Sequence, residues 1–415
     1  MFDFTPTHAA QALAVVHKIQ AAGFTAYLAG GCVRDALLGR APKDFDVATD
    51  AMPETIREIF GSRKTLAFGA SFGVIGVLGP APTPTEVATF RSDGEYSDGR
   101  RPDSVRFGTP EHDALRRDFT INGLFYDPVA CRLIDYVGGE ADLDQRIVRA
   151  IGNPEKRIGE DKLRMLRAVR IASALEFSLD RGTWSAIRQF ASQVTMVSGE
   201  RIGGEMRRMF ADVGAARSIE LLFDTQLIEY VWPTCAAAAA IDSRLLPDMQ
   251  RLLSCISPPR FEVAVAVSLS RLRCDASIAI SEIAEAWKLS NDEQRTIAES
   301  VRHRETILQA DQMPWAVVQP ILTGRDAMAV ISTAEAWADA FGAPRSGIEF
   351  CRGRTALPPE QLDPPPLLTG DTLRELGYQP GPRFRDVLQS IRDSQLNQQI
   401  MTRAEAIDLA RSLLS

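Results

Sequence analysis

The segment Tyr27–Asp46, YLAGGCVRDALLGRAPKDFD, constrains the fold most, because it asks for a buried strand, a tight turn, a helix and a second strand in quick succession. The apolar run Ala26 to Ala29 reads as a short buried strand. Gly30-Gly31 then lets the backbone turn sharply and bring bare N–H groups against an anion. Val33 to Leu38 carries helix formers, which places the glycines at a helix N-terminus, where the dipole favours a phosphate group. Arg34 adds a fixed cationic fork there. In Asp44-Phe45-Asp46, strand alternation sends both carboxylates to one face and Phe45 into the core. Two carboxylates on one face can hold magnesium ions.

A glycine pair followed about a dozen residues later by an alternating acidic pair resembles the nucleotidyltransferase superfamily of DNA polymerase beta. The resemblance implies a third carboxylate from a neighbouring strand, and Glu86, in the alternating run Thr85 to Arg91, stands where it is needed. Catalysis then rests on Asp44, Asp46 and Glu86, with Asp44 and Asp46 holding the metal. A two-ion magnesium site would activate an attacking hydroxyl and neutralise the leaving pyrophosphate.

Two further motifs narrow the resemblance. They are Arg116-Arg117-Asp118-Phe119-Thr120-Ile121-Asn122-Gly123 and Glu160 to Arg170, EDKLRMLRAVR. With Asp135–Gly139, Ile151–Glu155 and Glu200-Arg201-Ile202 they resemble the bacterial tRNA nucleotidyltransferases (CCA-adding enzymes) and the related bacterial poly(A) polymerases. Gly123 stands where that family usually has alanine. The resemblance implies that Gly31 and Arg34 touch the incoming nucleotide, that Arg117 and Asn122 fix ribose and phosphates, and that Asp161 and Arg164 read the base. Arg167 and Arg170 would support phosphate and template geometry, and Arg116, Asp118 and Glu160 would brace these groups through salt bridges.

The residues support base reading independently. Asp161, Arg164, Arg167 and Arg170 recur every three positions, so a helix through them carries a polar stripe beside Leu163, Leu166 and Val169. A carboxylate only accepts and a guanidinium only donates, so the pair matches the amino donor and ring-nitrogen acceptor of cytosine and adenine. Uracil and guanine present a carbonyl where the carboxylate needs a donor, a mismatch that disfavours UTP and GTP.

At 415 residues, with 45% hydrophobic content, the chain exceeds one ordinary core, and four parts are expected. Residues 1–141 read as an α/β head, 142–210 as a neck, 211–355 as a helical body and 356–415 as a helical tail. Strands are expected at Thr25–Ala29, Phe45–Ala48, Ser71–Leu78 and Glu86–Phe90, with helices beginning near Thr7, Val33 and Pro53. The polar stretch Asp93–Arg106 reads as a loop beside the site. In the family such a loop helps switch between bases. After the proline-rich break at Pro358–Pro366, Leu368–Asp371 and Leu376–Pro382 resemble the family tail that meets the tRNA elbow.

The net charge of −7 argues against a general nucleic-acid coat, whereas residues 142–210 hold 13 basic and 9 acidic side chains, a local excess that suits an RNA end. No stretch of about 18 apolar residues and no basic leader occurs, so a cytoplasmic protein is expected, with no membrane and no protein partner implied. The six cysteines lack CxxC spacing, and reduced, mostly buried thiols are expected. His8, His17, His112 and His303 are too dispersed for an HD-type phosphohydrolase centre, so no phosphatase activity is expected.

The reading is template-independent addition of C and A to the tRNA 3′ end from CTP and ATP, for CCA synthesis or repair. Poly(A) synthesis, and specialists that add only CC or only A, stay open. Ala67–Gly73 lacks the basic GRRF-like element typical of poly(A) polymerases, and their basic C-terminal extension is not seen. An inactive RNA-binding relative would have lost a metal carboxylate or the base-reading pair, and all of these are present.

Overall fold

The computed structural model describes residues 2–69, 73–94, 104–272, 274–379 and 381–414. Within these, an α/β head is followed by a mostly helical remainder.

The head is built on seven strands, β1 Ala26–Ala29, β2 Asp46–Thr49, β3 Thr65–Gly69, β4 Val74–Val77, β5 Thr85–Thr89, β6 Phe125–Asp127 and β7 Arg132–Ile134, in the order β3-β4-β5-β2-β1-β6-β7. Every pairing is antiparallel except β2 with β5, whose register sets Val47 against Val87 and Thr49 against Thr89. Thr7–Ala21 (α1), Gly31–Leu37 (α2) and Pro53–Phe60 (α3) begin within two residues of their expected starts. Ala29, Ala48, Phe90, Ala114 and Phe125 form a buried cluster of the head, with Phe90 and Phe125 edge to face at 6.0 Å.

Three strands escape the sequence pattern. β6 and β7 have only three residues each, too few for alternation to stand out, and β3 follows a helix directly through Ser62–Lys64. The expected strand Ser71–Leu78 is realised as β4, with Ser71 and Phe72 outside the described residues. Of the expected loop, 91–93 and 105–107 pair as a short antiparallel ladder, and residues 95–103 lie outside the described residues.

Contact density divides the chain into two compact units, 1–205 with 221–231 and 206–220 with 232–415. The head and neck, expected to part at 141/142, therefore fold together, and that boundary falls inside the helix Gly139–Asp144. The neck is also not purely helical: Ile147-Val148 pairs in parallel with Ser178-Leu179. Phe119 bridges Ala150, so head and neck share backbone hydrogen bonds as well as side chains.

The second unit is helical. Trp232 and Trp287 meet edge to face at 5.3 Å and Phe210 lies against both. Ile307, Val318, Ile331, Ala334 and Ile348 belong to a further buried cluster, and Leu368, Leu373, Val387, Ile391, Ala406 and Ala410 close the C-terminal helices on one another. Cys32, Cys235 and Cys351 are buried, but Cys131 and Cys274 are exposed, so burial of the thiols is only partial.

Candidate active site

Gly30 makes the turn that the sequence asks for. Its φ is +77°, its N–H donates to the Leu124 carbonyl at 3.0 Å, and α2 starts at the next residue. A Cβ at Gly30 would lie 2.9 Å from Nη1 of Arg117, so the arginine occupies the space that glycine leaves. The Gly31 and Cys32 amides reach no backbone carbonyl among the described residues and remain available to an anion.

Arg34 follows on α2 and donates to Asn122 Oδ1 at 2.6 Å. Asn122 Nδ2 in turn donates to Asp118 Oδ1 at 3.0 Å, and the other Asp118 oxygen accepts from Arg167 at 2.9 and 2.5 Å. Arg34, Asn122, Asp118 and Arg167 thus form one continuous chain of hydrogen bonds from the glycine turn to the neck. Burial pushes the Asp118 carboxyl up, but Arg167 and Asn122 outweigh it and hold the group well below the usual carboxylate range.

Arg117 is held by a residue that sequence reasoning missed. Asp113, fully buried, accepts from Nε and Nη2 of Arg117 at 3.1 and 3.0 Å and from Nε of Arg116 at 2.8 Å. Arg117 also donates to the Asn122 carbonyl at 3.3 Å and lies 5.0 Å from the Phe125 ring centre. The available signal was spacing: Asp113 stands three and four residues before the two arginines, so a helix brings all three together.

The carboxylates have the opposite character. Phe45 is buried while Asp44 and Asp46 stay exposed, as alternation required. The β2–β5 register, continued by one residue, sets Asp46 beside Glu86, so both point to the same face. Asp44, Asp46 and Glu86 make no side-chain hydrogen bond or ion pair among the described residues. Although Asp46 is open to solvent on one side, surrounding protein, then Glu86 and to a lesser degree Asp44, push its carboxyl up to about 6 against the pull of Arg117.

Three hard oxygen donors with mutually repelling charge and no cation of their own fit a divalent metal chemically. Among the described residues no three such side chains are gathered closely enough to enclose an ion as they stand, so Asp44, Asp46 and Glu86 would have to adjust on binding.

In the neck the expected stripe is broken at its first member. The helix Arg164–Leu175 begins after Asp161, which is extended at φ −145°. Asp161 Oδ1 accepts the Leu163 N–H at 3.0 Å, and this local bond competes with helix continuation. Its other oxygen accepts from Arg201 at 2.8 Å. Asp161 and Arg164 are therefore neighbours across a joint, not one turn apart on a helix. Arg164, 9% exposed, uses Nη1 to reach the Arg157 carbonyl and Glu160, both at 2.7 Å, leaving Nε and Nη2 without a partner among the described residues. Arg170 pairs with the buried Glu205 at 2.5 Å. Arg157, also missed, donates to the carbonyls of Leu115 and Arg117 and pins the neck to the motif that carries Arg117.

Comparison with known proteins agrees with this layout. A model described as the poly A polymerase head domain matches residues 26–149, and one described as a probable RNA and SrmB-binding site of polymerase A matches 176–238. The chain is 41% identical over 222 residues to a CCA-adding enzyme of Geobacillus kaustophilus (strain HTA426), a match covering 53% of this chain and about half, 54%, of that relative. A CCA-adding enzyme of Lactobacillus helveticus (strain DPC 4571) is 31% identical over 410 residues, 98% of this chain and 97% of its own length. The crystal structure of the Bacillus stearothermophilus CCA-adding enzyme in complex with CTP superposes with a TM-score of 0.80 at 30% identity, over 98% of this chain and 99% of that one.

Proposed function

The chain belongs to the family of CCA-adding enzymes and poly(A) polymerases, and on that premise we propose that it adds C and A nucleotides to the 3′ end of tRNA, using CTP and ATP, to build or repair the CCA terminus. The observation that carries the chemistry is the facing of Asp46 and Glu86 across two parallel strands, with Asp44 two residues from Asp46 and no cation among their partners.

In this reading Asp44, Asp46 and Glu86 hold magnesium, with Asp44 and Asp46 as its principal ligands. Bound there, the metal supplies Lewis acidity to the transferred phosphoryl group and charge neutralisation to the pyrophosphate. The protein's own part is positioning. The Gly30-Gly31 turn offers amide donors to the phosphates, and Arg34 and Arg117, each fixed by a partner, supply cationic forks at set positions. Asn122 links these groups to Asp118 and so to the neck. The attacking ribose hydroxyl loses its proton as it bonds to the α-phosphorus, and the bond to the pyrophosphate oxygen breaks.

Base choice falls to Asp161 and Arg164. Arg201 on one Asp161 oxygen and Glu160 on Arg164 orient the pair while leaving lone pairs on the carboxylate and two guanidinium nitrogens, Nε and Nη2, for a base. Arg167 and Arg170 support the template geometry through Asp118 and Glu205. The neck residues 142–210 would carry the RNA end, and 356–415 would meet the elbow, with 211–355 between them in sequence. No helix among the described residues is long and apolar enough to cross a membrane, in keeping with action on tRNA in the cytoplasm.

Extension of tRNA transcripts ending before CCA, after C and after CC, resolved to single nucleotides, tests the proposal. Completion to CCA followed by arrest is expected with CTP, ATP and magnesium. Arrest at CC, or extension only from CC, would identify a specialist, and a long A ladder would replace the proposal with poly(A) synthesis.

A further inference from the structure

In the helical second unit, the helices Leu245–Ser254, Phe261–Arg271, Asn291–Leu308 and Ala327–Phe341 border a recess of about 590 Å³. Its walls are unusually rich in donors for a protein with a net charge of −7: Arg244, Arg251, Arg271 and Arg304 line it, with Asp248 the only acidic lining residue among the described residues.

These arginines are not all neutralised. Arg271 is locked, with Nε on Asp248 at 2.7 Å and Nη2 on Asp242 at 2.8 Å, which leaves Nη1 without a partner among the described residues. Arg251 reaches only the Ala340 carbonyl, at 3.5 Å. Arg304 packs 3.9 Å from the Trp337 ring centre, a carboxylate oxygen of Glu305 is 3.5 Å away, and its Nε is buried with no hydrogen-bond partner among the described residues. A buried guanidinium donor without an acceptor is costly, and burial lowers the tendency of Arg304 to hold its charge. An anion beside the Arg304 guanidinium would favour its charged form.

The remaining lining residues are Ser270, Leu272 and two aromatics. Trp337 and Phe341 lie 4.8 Å apart at the edge of the recess, and Phe341 is exposed. The recess is within the size range of small-ligand sites. Arg271 and Arg304 are recessed, with side chains only 10% and 17% exposed. Recessed donors suit a terminal phosphate that can enter, with three free oxygens, better than a phosphodiester lying along a surface.

We propose that this recess binds a phosphomonoester carried on a ring, of the nucleoside monophosphate class, with the phosphate on Arg251, Arg271 and Arg304 and the ring against Trp337 and Phe341. The occupant is separate from the nucleotide of the head: the second unit carries its own donors and its own aromatic wall.

AMP titrated into the full chain carrying W184F, followed by tryptophan fluorescence, tests this directly, because the other tryptophans all lie in the second unit. A saturable change is expected, with AMP binding more tightly than inorganic phosphate. The double variant R251Q/R304Q should weaken AMP binding about tenfold or more, as expected for lost charge-assisted hydrogen bonds. W337F should remove much of the signal while calorimetry still detects binding. Full-chain circular dichroism and melting guard against misfolding, and R251Q alone, at a more open position, serves as the second variant if the double one does not fold. AMP affinity unchanged in the folded arginine variants would overturn the proposal. So would equal affinity for AMP and phosphate, or preferential displacement of AMP by a short RNA duplex.

Discussion

The acidic edge of the head and the arginine-rich start of the neck handle charge in opposite ways. At the edge, Asp44, Asp46 and Glu86 have no ion-pair partner among the described residues, and burial, then the neighbouring Glu86, pushes the Asp46 carboxyl up to about 6 against the pull of Arg117. In the neck, Arg157, Arg164, Arg167, Arg170 and Arg201 each face a carboxylate at 2.5–2.8 Å. On the proposed function, unmet charge would take up an ion and met charge would keep geometry. The first arrangement costs stability in the free protein, and the second fixes donors and acceptors before a base or phosphate arrives.

The sharpest way to break this contrast is Asp46→Ala. Loss of a metal carboxylate should lower nucleotide incorporation by about a thousandfold or more with folding intact. Turnover near the wild-type rate in a primer-extension assay would defeat the two-metal reading.

Next in size is Asp118→Asn, which strands Arg167 and should destabilise the protein by roughly 2 kcal/mol, below the range for fully buried pairs because Arg167 is partly exposed. The pH dependence has a definite sign. A carboxyl held low in the folded state contributes stability that is present above its unfolded pKa of about 3.9 and is lost as pH falls toward the folded value. The gap between wild type and variant in urea melts should therefore be full at pH 7 and close progressively below about pH 4.

Asp161→Ala should relax rejection of UTP by about tenfold to a hundredfold in kcat/KM, whereas Arg201→Ala, which frees the carboxylate without removing it, should do less. Unaltered discrimination in competition assays with CTP would separate Asp161 from base choice.

The smallest effect has the least intuitive sign. Because the Asp46 carboxyl is raised to about 6, the metal-free fold binds more protons than the unfolded chain between about pH 4 and 6, and loses stability as pH rises through that window. Asp46→Asn in chelator should thus stabilise the fold at pH 7, by about 1 kcal/mol once solvent screening of this exposed group is allowed for, and by little at pH 4. A lower melting temperature for the variant at pH 7 would contradict the crowding of the three carboxylates.

The glycine turn and the Asp44–Asp46 alternation were legible in the sequence because each depends on neighbours within a few residues. Glu86 was found through the same period-two pattern, and the parallel register then supplied its partner. What stayed hidden depended on distant partners or on competition. Asp113 reads as one more polar residue on a short helix until its two arginines fold back on it. Arg157 and Glu205 bond to residues 35 or more positions away. Asp161 followed the helical spacing, yet its own side-chain oxygen claimed the Leu163 N–H and ended that pattern. The hydrogen bonds that cross position 141/142, such as Arg167 to Asp118, were hidden for a related reason: composition changes there, but the partners lie 49 residues apart.

The turn at Gly30 also bears on which sequences can be reached by mutation. Any side chain there meets two independent obstacles, a φ of +77° and the Nη1 of Arg117, which Asp113 and the Asn122 carbonyl keep in place. Shortening Arg117 would clear the space but leave the backbone strain, and would leave the buried Asp113 with one partner fewer. Moving Arg117 answers only the second obstacle, so the positive φ alone keeps glycine favoured at position 30.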